Sequence, residues 1–389
     1  MKTLLKNVLL QSGEKRNVLI EDGVFVCLDA APGAGADEVL ECEGTVILPA
    51  FYNTHTHAAM SLLRGYADDL PLKSWLEDYI WPFEDGLTPE DIRRGSELAV
   101  REMLSTGTVF FCDMYFDIEE TLSVVEAAGI RAAIGITYLD SHSKAQSAEK
   151  NSLVRIWKDR YDGRAQIVLA PHAIYTASEP VLRHCRRLAS ETGARITIHL
   201  SETAGEVRDC IRDHGTTPVR YLDSIGLLGP DVVAAHCVHV DKEEWDILAE
   251  RGVTVSHCPC SNMKLGSGRF PYEMAIASGA RITIGTDGNA SNNNLDMREE
   301  MKFAALFAKS AGDPSLLPAG EVLKWATRNG AEAFGINGGV IAPGKAADFI
   351  LADLSAPKMQ PLHSVVSNWV YSADSSCVKS VFCAGKKVY

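Results

Sequence analysis

The stretch Pro49-Ala-Phe-Tyr-Asn-Thr-His-Thr-His57 decides the fold class of this chain. The apolar run Val46-Ile47-Leu48 leads into it as a buried strand, and two histidines stand at the far end. Because side chains alternate along a strand, His55 and His57 point to the same side. Two imidazoles that converge on one point can chelate a divalent metal ion. Two histidines satisfied by hydrogen bonds in a turn would also fit this short motif, so the rest of the chain must decide.

Apolar segments recur through the middle of the chain, and helical patterns lie between them. One predicted helix begins with Thr88 as its cap, Pro89 at its first position and two early acids. Other helices are predicted over 180–192 and 242–251. With the strand that ends at His57, the predicted strands number eight; the others span 108–114, 131–136, 166–172, 195–202, 232–238, 254–259 and 282–287. This alternation predicts an α/β protein with a (β/α)8, TIM-like barrel, whose parallel strands are covered on both faces.

The two ends of the chain have a different pattern. Residues 1–49 contain short strand candidates separated by turns, and none of them has helical periodicity. Short strands with a glycine turn return at 344–354 and 380–389. We therefore predict a small β-sandwich domain built from residues 1–49 and 341–389, with a barrel domain over residues 50–340.

Composition excludes several classes of partner. The chain has 389 residues and a formal net charge of −13, which disfavours nucleic acid and anionic membrane surfaces. Ten cysteines in a chain of this length do not make a disulfide scaffold. No run approaches the roughly 18 apolar residues of a membrane span, and the first residues do not read as a signal peptide. We expect a cytoplasmic protein.

Polar residues fall where such a barrel would place its chemistry, at the C-terminal ends of the strands. Most of the 11 histidines stand there, together with two acids. Imidazoles that merely cap strands would explain any one of these positions but explain the set poorly. The residues at predicted strand ends are His55, His57, His172, His199, Glu202, His236, His239, His257 and Asp287.

Four of these residues form a complete set of metal ligands. His55, His57 and His199 offer three neutral nitrogens, and Asp287 offers a carboxylate. Such a set suits Zn²⁺ or Fe²⁺ with one position left for water, and the ion lowers the pKa of that water to roughly 7. No lysine ends the fourth strand, which argues against a carbamylated lysine between two metals. We predict one divalent ion, zinc before iron.

Two further residues have the chemistry to complete a catalytic site. Glu202, three residues after His199, is the candidate proton shuttle, with its pKa raised by partial burial. His236 could hold the hydroxide or the developing oxyanion, and Asp287 could accept the proton of the attacking water. The alternative is that Glu202 and His236 only support the ligands. For His257 we favour a hydrogen-bonded supporting role over direct ligation.

With these residues in view, the chain resembles the amidohydrolase superfamily. Within that superfamily, the branch that the chain resembles most is that of the 5′-methylthioadenosine/S-adenosylhomocysteine deaminases. Guanine deaminases and triazine hydrolases are related branches. The motifs that carry the resemblance are Asn53-Thr-His-Thr-His57, Leu63-Arg-Gly-Tyr-Ala-Asp-Asp69, Trp81-Pro-Phe-Glu84, Ile198-His-Leu-Ser-Glu202, Ala235-His-Cys-Val-His239, Ser256-His-Cys-Pro259, Gly285-Thr-Asp-Gly-Asn-Ala-Ser-Asn-Asn293 and Pro343-Gly-Lys-Ala-Ala-Asp348.

The resemblance implies a role for each matching residue. It implies metal ligation by the three histidines and the aspartate named above. It also implies that Glu202 protonates the ring nitrogen, while His236 and Asp287 handle the water. The glutamate matching Glu84 binds ribose hydroxyls in that branch, and the histidine matching His172 contacts substrate. By itself Glu84 would be interpreted as a solvated acid in a loop.

The chain departs from the branch at one place. Arginines that bind the far end of the 5′ substituent are common there, and the nearest positions here hold Ile136 and Ser147. Loss of an arginine that pairs with a carboxylate removes a charge-assisted bond worth about 1.5–3 kcal/mol. This difference disfavours S-adenosylhomocysteine and favours methylthioadenosine, 5′-deoxyadenosine or adenosine.

The functional prediction is a metal-dependent hydrolytic deaminase that acts on an adenosine-type nucleoside and releases ammonia. The alternatives are a deaminase of another amino-heterocycle (guanine, a pterin or cytosine) and a triazine-type chlorohydrolase. A two-metal cyclic-amide hydrolase and a non-catalytic scaffold on the same barrel are further alternatives. The predicted partner is a small heteroaromatic amine or nucleoside, and a homo-oligomer is expected only by analogy.

Overall fold

The computed structural model describes residues 1–142, 144–157 and 164–389. Its strands, in chain order, are β1 (Lys2–Leu9), β2 (Lys15–Glu21), β3 (Val24–Cys27), β4 (Glu38–Glu41), β5 (Thr45–Pro49), β6 (Phe51–Thr56), β7 (Thr108–Tyr115), β8 (Arg131–Tyr138), β9 (Ala165–Pro171), β10 (Ile196–Leu200), β11 (Val232–His236), β12 (Thr254–His257), β13 (Arg281–Ile284), β14 (Phe349–Asp353), β15 (Val378–Cys383) and β16 (Lys386–Lys387).

Helices follow most of the barrel strands. The α-helices are α1 (Leu72–Ser74), α2 (Trp81–Glu84), α3 (Pro89–Thr106), α4 (Ile118–Ala128), α5 (Lys144–Trp157), α6 (Glu179–Thr192), α7 (Ala204–His214), α8 (Pro218–Ser224), α9 (Lys242–Glu250), α10 (Pro259–Lys264), α11 (Tyr272–Ser278), α12 (Asn289–Asn292), α13 (Met297–Lys309), α14 (Ala319–Ala326), α15 (Arg328–Ala333) and α16 (Val365–Tyr371). Short 3₁₀ segments span Ala58–Leu63, Pro357–Met359 and Ser375–Cys377, and a π segment spans Trp75–Ile80. Within the described ranges, we find no helix with the length and apolar character needed to cross a bilayer.

The barrel is built from strands β6 to β13, which pair in parallel in their order along the chain. The first and last of these strands also meet. The Asp287 amide donates a hydrogen bond to the His55 carbonyl at 3.0 Å, and the Thr54 hydroxyl donates to the Ile284 carbonyl at 3.0 Å. These contacts confirm the predicted α/β barrel, and each of its predicted strands is present.

The apolar run before the histidines belongs to a different sheet from the histidines themselves. Strand β5 pairs antiparallel with β14, whereas the barrel strand begins only at Phe51. Ala50 marks the change of partner, because its amide donates to Asp348 while the next amide donates to Gly107. The run Val46-Ile47-Leu48 is thus a buried strand, as expected, but it lies in a different sheet from the strand that carries the histidines.

The ends of the chain share one mixed sheet. Its order is β16-β15-β14-β5-β1-β2-β3, and β4 pairs in parallel with β1. The neighbours β5 and β14 come from opposite ends of the chain, as the sequence predicted. Its core is a cluster that includes Phe25, Ile47, Phe349 and Phe382. The division into residues 1–49 with 341–389 and residues 50–340 remains our proposal.

Local sequence signals fix the helices around the barrel. The Thr88 hydroxyl accepts a hydrogen bond from the Asp91 amide at 3.3 Å, and the Asp91 carboxylate accepts one from the Thr88 amide at 3.1 Å. This reciprocal cap confirms the predicted start of α3. The helices predicted over 180–192 and 242–251 are α6 and α9, each within one residue at either end.

Candidate active site

A cavity of about 760 Å³ opens at the C-terminal ends of the barrel strands. Of the eight residues given a catalytic, substrate or metal role from the sequence, seven line it, and the eighth, His55, is fully buried. The lining residues among the eight are His57, Glu84, His172, His199, Glu202, His236 and Asp287. The strand-end histidines His239 and His257 are not among its lining residues.

The four predicted metal ligands lie together at the bottom of this cavity. The Nε2 atom of His57 is 3.4 Å from Nε2 of His199 and 3.1 Å from Oδ1 of Asp287. Nε2 of His55 is 3.5 Å from the same carboxylate oxygen. Residues from the first, fifth and last strands of the barrel, or from the turns that follow them, therefore face one point.

Backbone carbonyls orient the two outer imidazoles. Nδ1 of His57 lies 2.7 Å from the Met114 carbonyl, and Nδ1 of His199 lies 2.8 Å from the His172 carbonyl. Since a carbonyl can only accept, each Nδ1 carries the proton and each Nε2 keeps its lone pair. Both lone pairs are thereby left free for a cation.

His55 supplies the test of whether this cluster fits a metal ion. Both of its ring nitrogens are buried without a well-formed hydrogen bond, and burial lowers its pKa to about 4. A buried polar atom without a partner costs about 1–3 kcal/mol. One ligand atom each from His55, His57 and His199 lie within 4.8 Å of one another. Neutral imidazoles at this spacing fit a divalent cation, which would satisfy the unpartnered nitrogen.

The Asp287 carboxylate is held by short contacts. The hydroxyls of Ser261 and Ser291 donate to Oδ2 at 2.6 and 3.1 Å, and the Gly288 amide donates to Oδ1 at 2.9 Å. Burial alone would raise the pKa of Asp287, but its contacts with His55 and His57 and the nearby ring of His236 outweigh burial and hold that pKa well below its usual value. The carboxylate therefore stays charged.

Glu202 stands beside the histidine cluster as a buried acid. It lies 6% exposed, with Oε2 3.9 Å from Nε2 of His236, and it accepts a hydrogen bond from the Ser267 hydroxyl at 3.2 Å. Burial raises the pKa of Glu202. A carboxyl group with a raised pKa can carry a proton nearer to neutral pH and give it up during a reaction.

The other predicted site residues also have defined partners. His236 directs Nε2 toward the cavity, because its Nδ1 lies 2.8 Å from the side-chain oxygen of Asn262. The ring of His172 lies 4.6 Å from that of His199, and burial lowers the pKa of His172 to about 3. His257 hydrogen-bonds the Tyr272 hydroxyl at 2.8 Å, which agrees with the supporting role favoured from the sequence.

Glu84 is not the solvated acid that its local sequence indicates. It ends α2, lines the cavity and is partly buried, and burial raises its pKa. The two positions discussed for the missing arginines lie elsewhere: Ile136 is buried within β8, and Ser147 lies on α5. Neither belongs to the lining of the cavity.

Glu206 is a positioning residue that the sequence reasoning missed. Its two carboxylate oxygens accept hydrogen bonds from the amides of Ser201 and Glu202, both at 2.8 Å. Ser201 has a φ of +50°, a left-handed conformation that a serine rarely adopts without support. In the sequence Glu206 is simply an early acid of α7, which is a common and uninformative position.

Comparison with known proteins places the chain among hydrolases. Residues 46–388 match the amidohydrolase family. A 5′-deoxyadenosine deaminase of Methanosarcina mazei is 44% identical over 378 residues, covering 96% of this chain and 88% of the relative. A 5-methylthioadenosine/S-adenosylhomocysteine deaminase of Pelotomaculum thermopropionicum is 46% identical over 349 residues, covering 89% and 81%.

A solved structure gives the same result. An adenosine deaminase from Xanthomonas campestris, crystallised with bound zinc, superposes with a TM-score of 0.93 at 36% identity. The alignment covers 99% of this chain and 92% of that one. The likeness therefore includes the strands of the small sheet as well as the barrel.

Replacing Glu206→Ala is expected to lower both stability and activity. It leaves two backbone amides without an acceptor at a buried turn, and each such loss costs about 1–3 kcal/mol. Urea unfolding and steady-state kinetics measure the two effects. The matched control is Glu250→Ala, at an exposed position at the end of α9, which we expect to change neither. Full activity in a destabilised Glu206→Ala protein would contradict its positioning role.

The ligand set predicts about one divalent ion per chain. Elemental analysis of the purified protein measures this stoichiometry, and the same analysis of His199→Ala tests the site. We expect the variant to lose most of its metal, because the ion loses one of its imidazoles. A content near zero in the unmodified protein would favour a non-catalytic scaffold, and a content near two would favour a two-metal hydrolase.

Proposed function

This chain belongs to the amidohydrolase family, as its motifs predicted, and we propose that it is a hydrolytic deaminase of adenosine-type nucleosides. The observation that carries the proposal is that two acids, Glu202 and Glu84, line the same cavity. Of the two, Glu202 is buried next to the histidine cluster. The relatives named for deamination of adenosine nucleosides support the same substrate class.

A divalent ion would be held by His55, His57, His199 and Asp287. We propose zinc, because three imidazoles and a carboxylate suit it and because the similar adenosine deaminase structure contains it. Iron would accept the same ligand types. When bound, the ion would supply an activated water at neutral pH by lowering the pKa of that water.

The protein side chains would then perform three tasks. Glu202 delivers a proton to the ring nitrogen beside the carbon that carries the amine, which makes that carbon easier to attack. Asp287 accepts a proton from the attacking water. His236 hydrogen-bonds the oxygen that adds to the ring, through the Nε2 atom that Asn262 directs into the cavity. The amine receives the proton that Asp287 accepted and leaves as ammonia, while the added hydroxyl returns its proton to Glu202 as the ring carbonyl forms.

The rest of the cavity suits the sugar. A volume of about 760 Å³ lies within the usual range for small-molecule sites, roughly 300–1,000 Å³. Glu84 offers carboxylate oxygens that accept hydrogen bonds from ribose hydroxyls. His172, whose pKa is lowered by burial, is a neutral side chain next to the metal ligands and would contact the substrate.

The charge of the cavity favours a 5′ substituent without a carboxylate. Its described lining residues include Asp85, Asp117 and Asp140 in addition to the acids already named, and they include no lysine or arginine. A carboxylate on the 5′ substituent would find no guanidinium partner among these residues. We therefore propose 5′-deoxyadenosine, methylthioadenosine or adenosine as better substrates than S-adenosylhomocysteine.

Ammonia release from a panel of substrates tests the proposed function. The panel contains 5′-deoxyadenosine, methylthioadenosine, adenosine, S-adenosylhomocysteine, guanine, a pterin and cytosine. We expect kcat/KM to be highest for the first three and at least about tenfold lower for S-adenosylhomocysteine, the size of one lost charge-assisted bond. Activity confined to compounds without ribose would refute the nucleoside proposal and the role of Glu84.

Glu202→Gln tests the proton donor separately. Glutamine keeps the shape of the side chain but cannot transfer the proton, so kcat should fall by about 10²–10⁴-fold. The metal content should not change. Glu273→Gln, on the exposed surface of α11, is the matched control and should keep kcat within about twofold. An unchanged kcat in Glu202→Gln would rule out the acid role.

A further inference from the structure

Tyr115 has a buried hydroxyl beside the active-site cavity, next to the carboxylate of Glu84. The residue ends β7, is only 4% exposed and lines the active-site cavity. Its hydroxyl makes no well-formed hydrogen bond among the described residues. A buried hydroxyl without a full partner is costly, so a bound group that pairs with it would gain from doing so.

The neighbour of this hydroxyl is the carboxylate of Glu84. Burial raises the pKa of Tyr115 well above its usual value, and the charge of Glu84 raises it further. The phenol therefore keeps its proton and remains a donor. A donor and an acceptor thus stand side by side on the cavity wall.

The backbone of Tyr115 is fixed by the barrel. Its carbonyl accepts a hydrogen bond from the Thr137 hydroxyl at 3.1 Å, and its ring packs 4.9 Å from that of Phe116. The ring also belongs to the apolar cluster formed with Met60, Trp75 and Ile80. The hydroxyl is consequently held in place before any substrate arrives, which lowers the entropy cost of binding.

We propose that Tyr115 is a substrate-binding residue that acts together with Glu84 on the vicinal hydroxyls of the ribose. Each sugar hydroxyl has one proton to donate and lone pairs to accept. The Glu84 carboxylate accepts protons from the diol, and the Tyr115 hydroxyl donates to one of the two sugar oxygens. This inference rests on the proposed nucleoside substrate and adds a residue that distinguishes ribose from deoxyribose.

The test is Tyr115→Phe, which removes only the hydroxyl. We expect kcat/KM for the best nucleoside of the panel to fall roughly 3–10-fold, the effect of one neutral hydrogen bond, mainly through KM. The 2′-deoxy and 3′-deoxy analogues of that nucleoside are measured with both proteins. The loss should disappear for the analogue that lacks the hydroxyl bound by Tyr115. An equal loss for all three compounds would overturn the proposal.

A second comparison separates direct contact from an effect through Glu84. If Tyr115 binds the sugar itself, Tyr115→Phe should still weaken binding of the ribonucleoside in a Glu84→Gln background. If the tyrosine only orients the carboxylate, the added loss should vanish in that background, and the proposal is overturned. Double-mutant analysis of kcat/KM measures this coupling.

Two controls complete the experiment. Tyr138→Phe changes the tyrosine at the end of the neighbouring strand, whose hydroxyl bonds Asn151 at 3.0 Å and does not line the cavity, so it should not discriminate among the nucleosides. The melting temperature of Tyr115→Phe should change little, since the hydroxyl has no well-formed hydrogen bond and its only described interaction is with Glu84 at the cavity. A wild-type protein that deaminates no ribonucleoside would refute the proposed function as well, whereas an active wild type with an indifferent Tyr115→Phe refutes this inference alone.

Discussion

The hydrogen bond from the Asp287 amide to the His55 carbonyl joins the last turn of the barrel to its first strand, and the site depends on that closure. Gly285 makes it possible, because a Cβ atom there would lie 2.9 Å from the same carbonyl and 2.7 Å from the Ser256 hydroxyl. Below it, the Thr54 hydroxyl bonds those of Ser256 and Thr283 at 2.7 and 2.8 Å. The polar interior thus holds the closing strands in register and places the carboxylate among the imidazoles.

Burial gives that carboxylate its electrostatic setting. The pKa of His55 is about 4 and that of His172 about 3, both lowered by burial, so these two imidazoles stay neutral at physiological pH. The charge of Asp287 is stabilised mainly by hydrogen bonds, and no lysine or arginine lies among the described cavity residues. Imidazole nitrogens gathered around one carboxylate, with no lysine or arginine among the described lining residues, favour a bound divalent ion over a bound anion.

The sequence predicted which strand-end residues come together better than it predicted the residues that surround them. The barrel strands were readable because each is apolar and ends in a polar residue. The interruption of the strand between Val46-Ile47-Leu48 and the histidines was not readable from the local pattern, since the run and the start of β6 are equally apolar and differ only in their distant partners. Glu206 was missed because an early helical acid carries no sign that it holds the preceding turn. Tyr115 was missed because a buried aromatic residue at a strand end is ordinary core, and only coordinates show an unpaired hydroxyl.

Reaction and substrate choice depend on different parts of the fold. The histidines and Asp287 sit on strand ends or on the turns after them, where backbone carbonyls and neighbouring hydroxyls fix their direction. The wall that carries Trp75 and Glu84 is instead made of short helical pieces between Leu72 and Glu84, which pack through one small apolar cluster. Changes in those pieces can alter which substituent fits without moving the reacting groups. Tyr115 belongs to both parts, since it ends a barrel strand and packs in the apolar cluster of this wall, and that position is consistent with the substrate contact proposed for it.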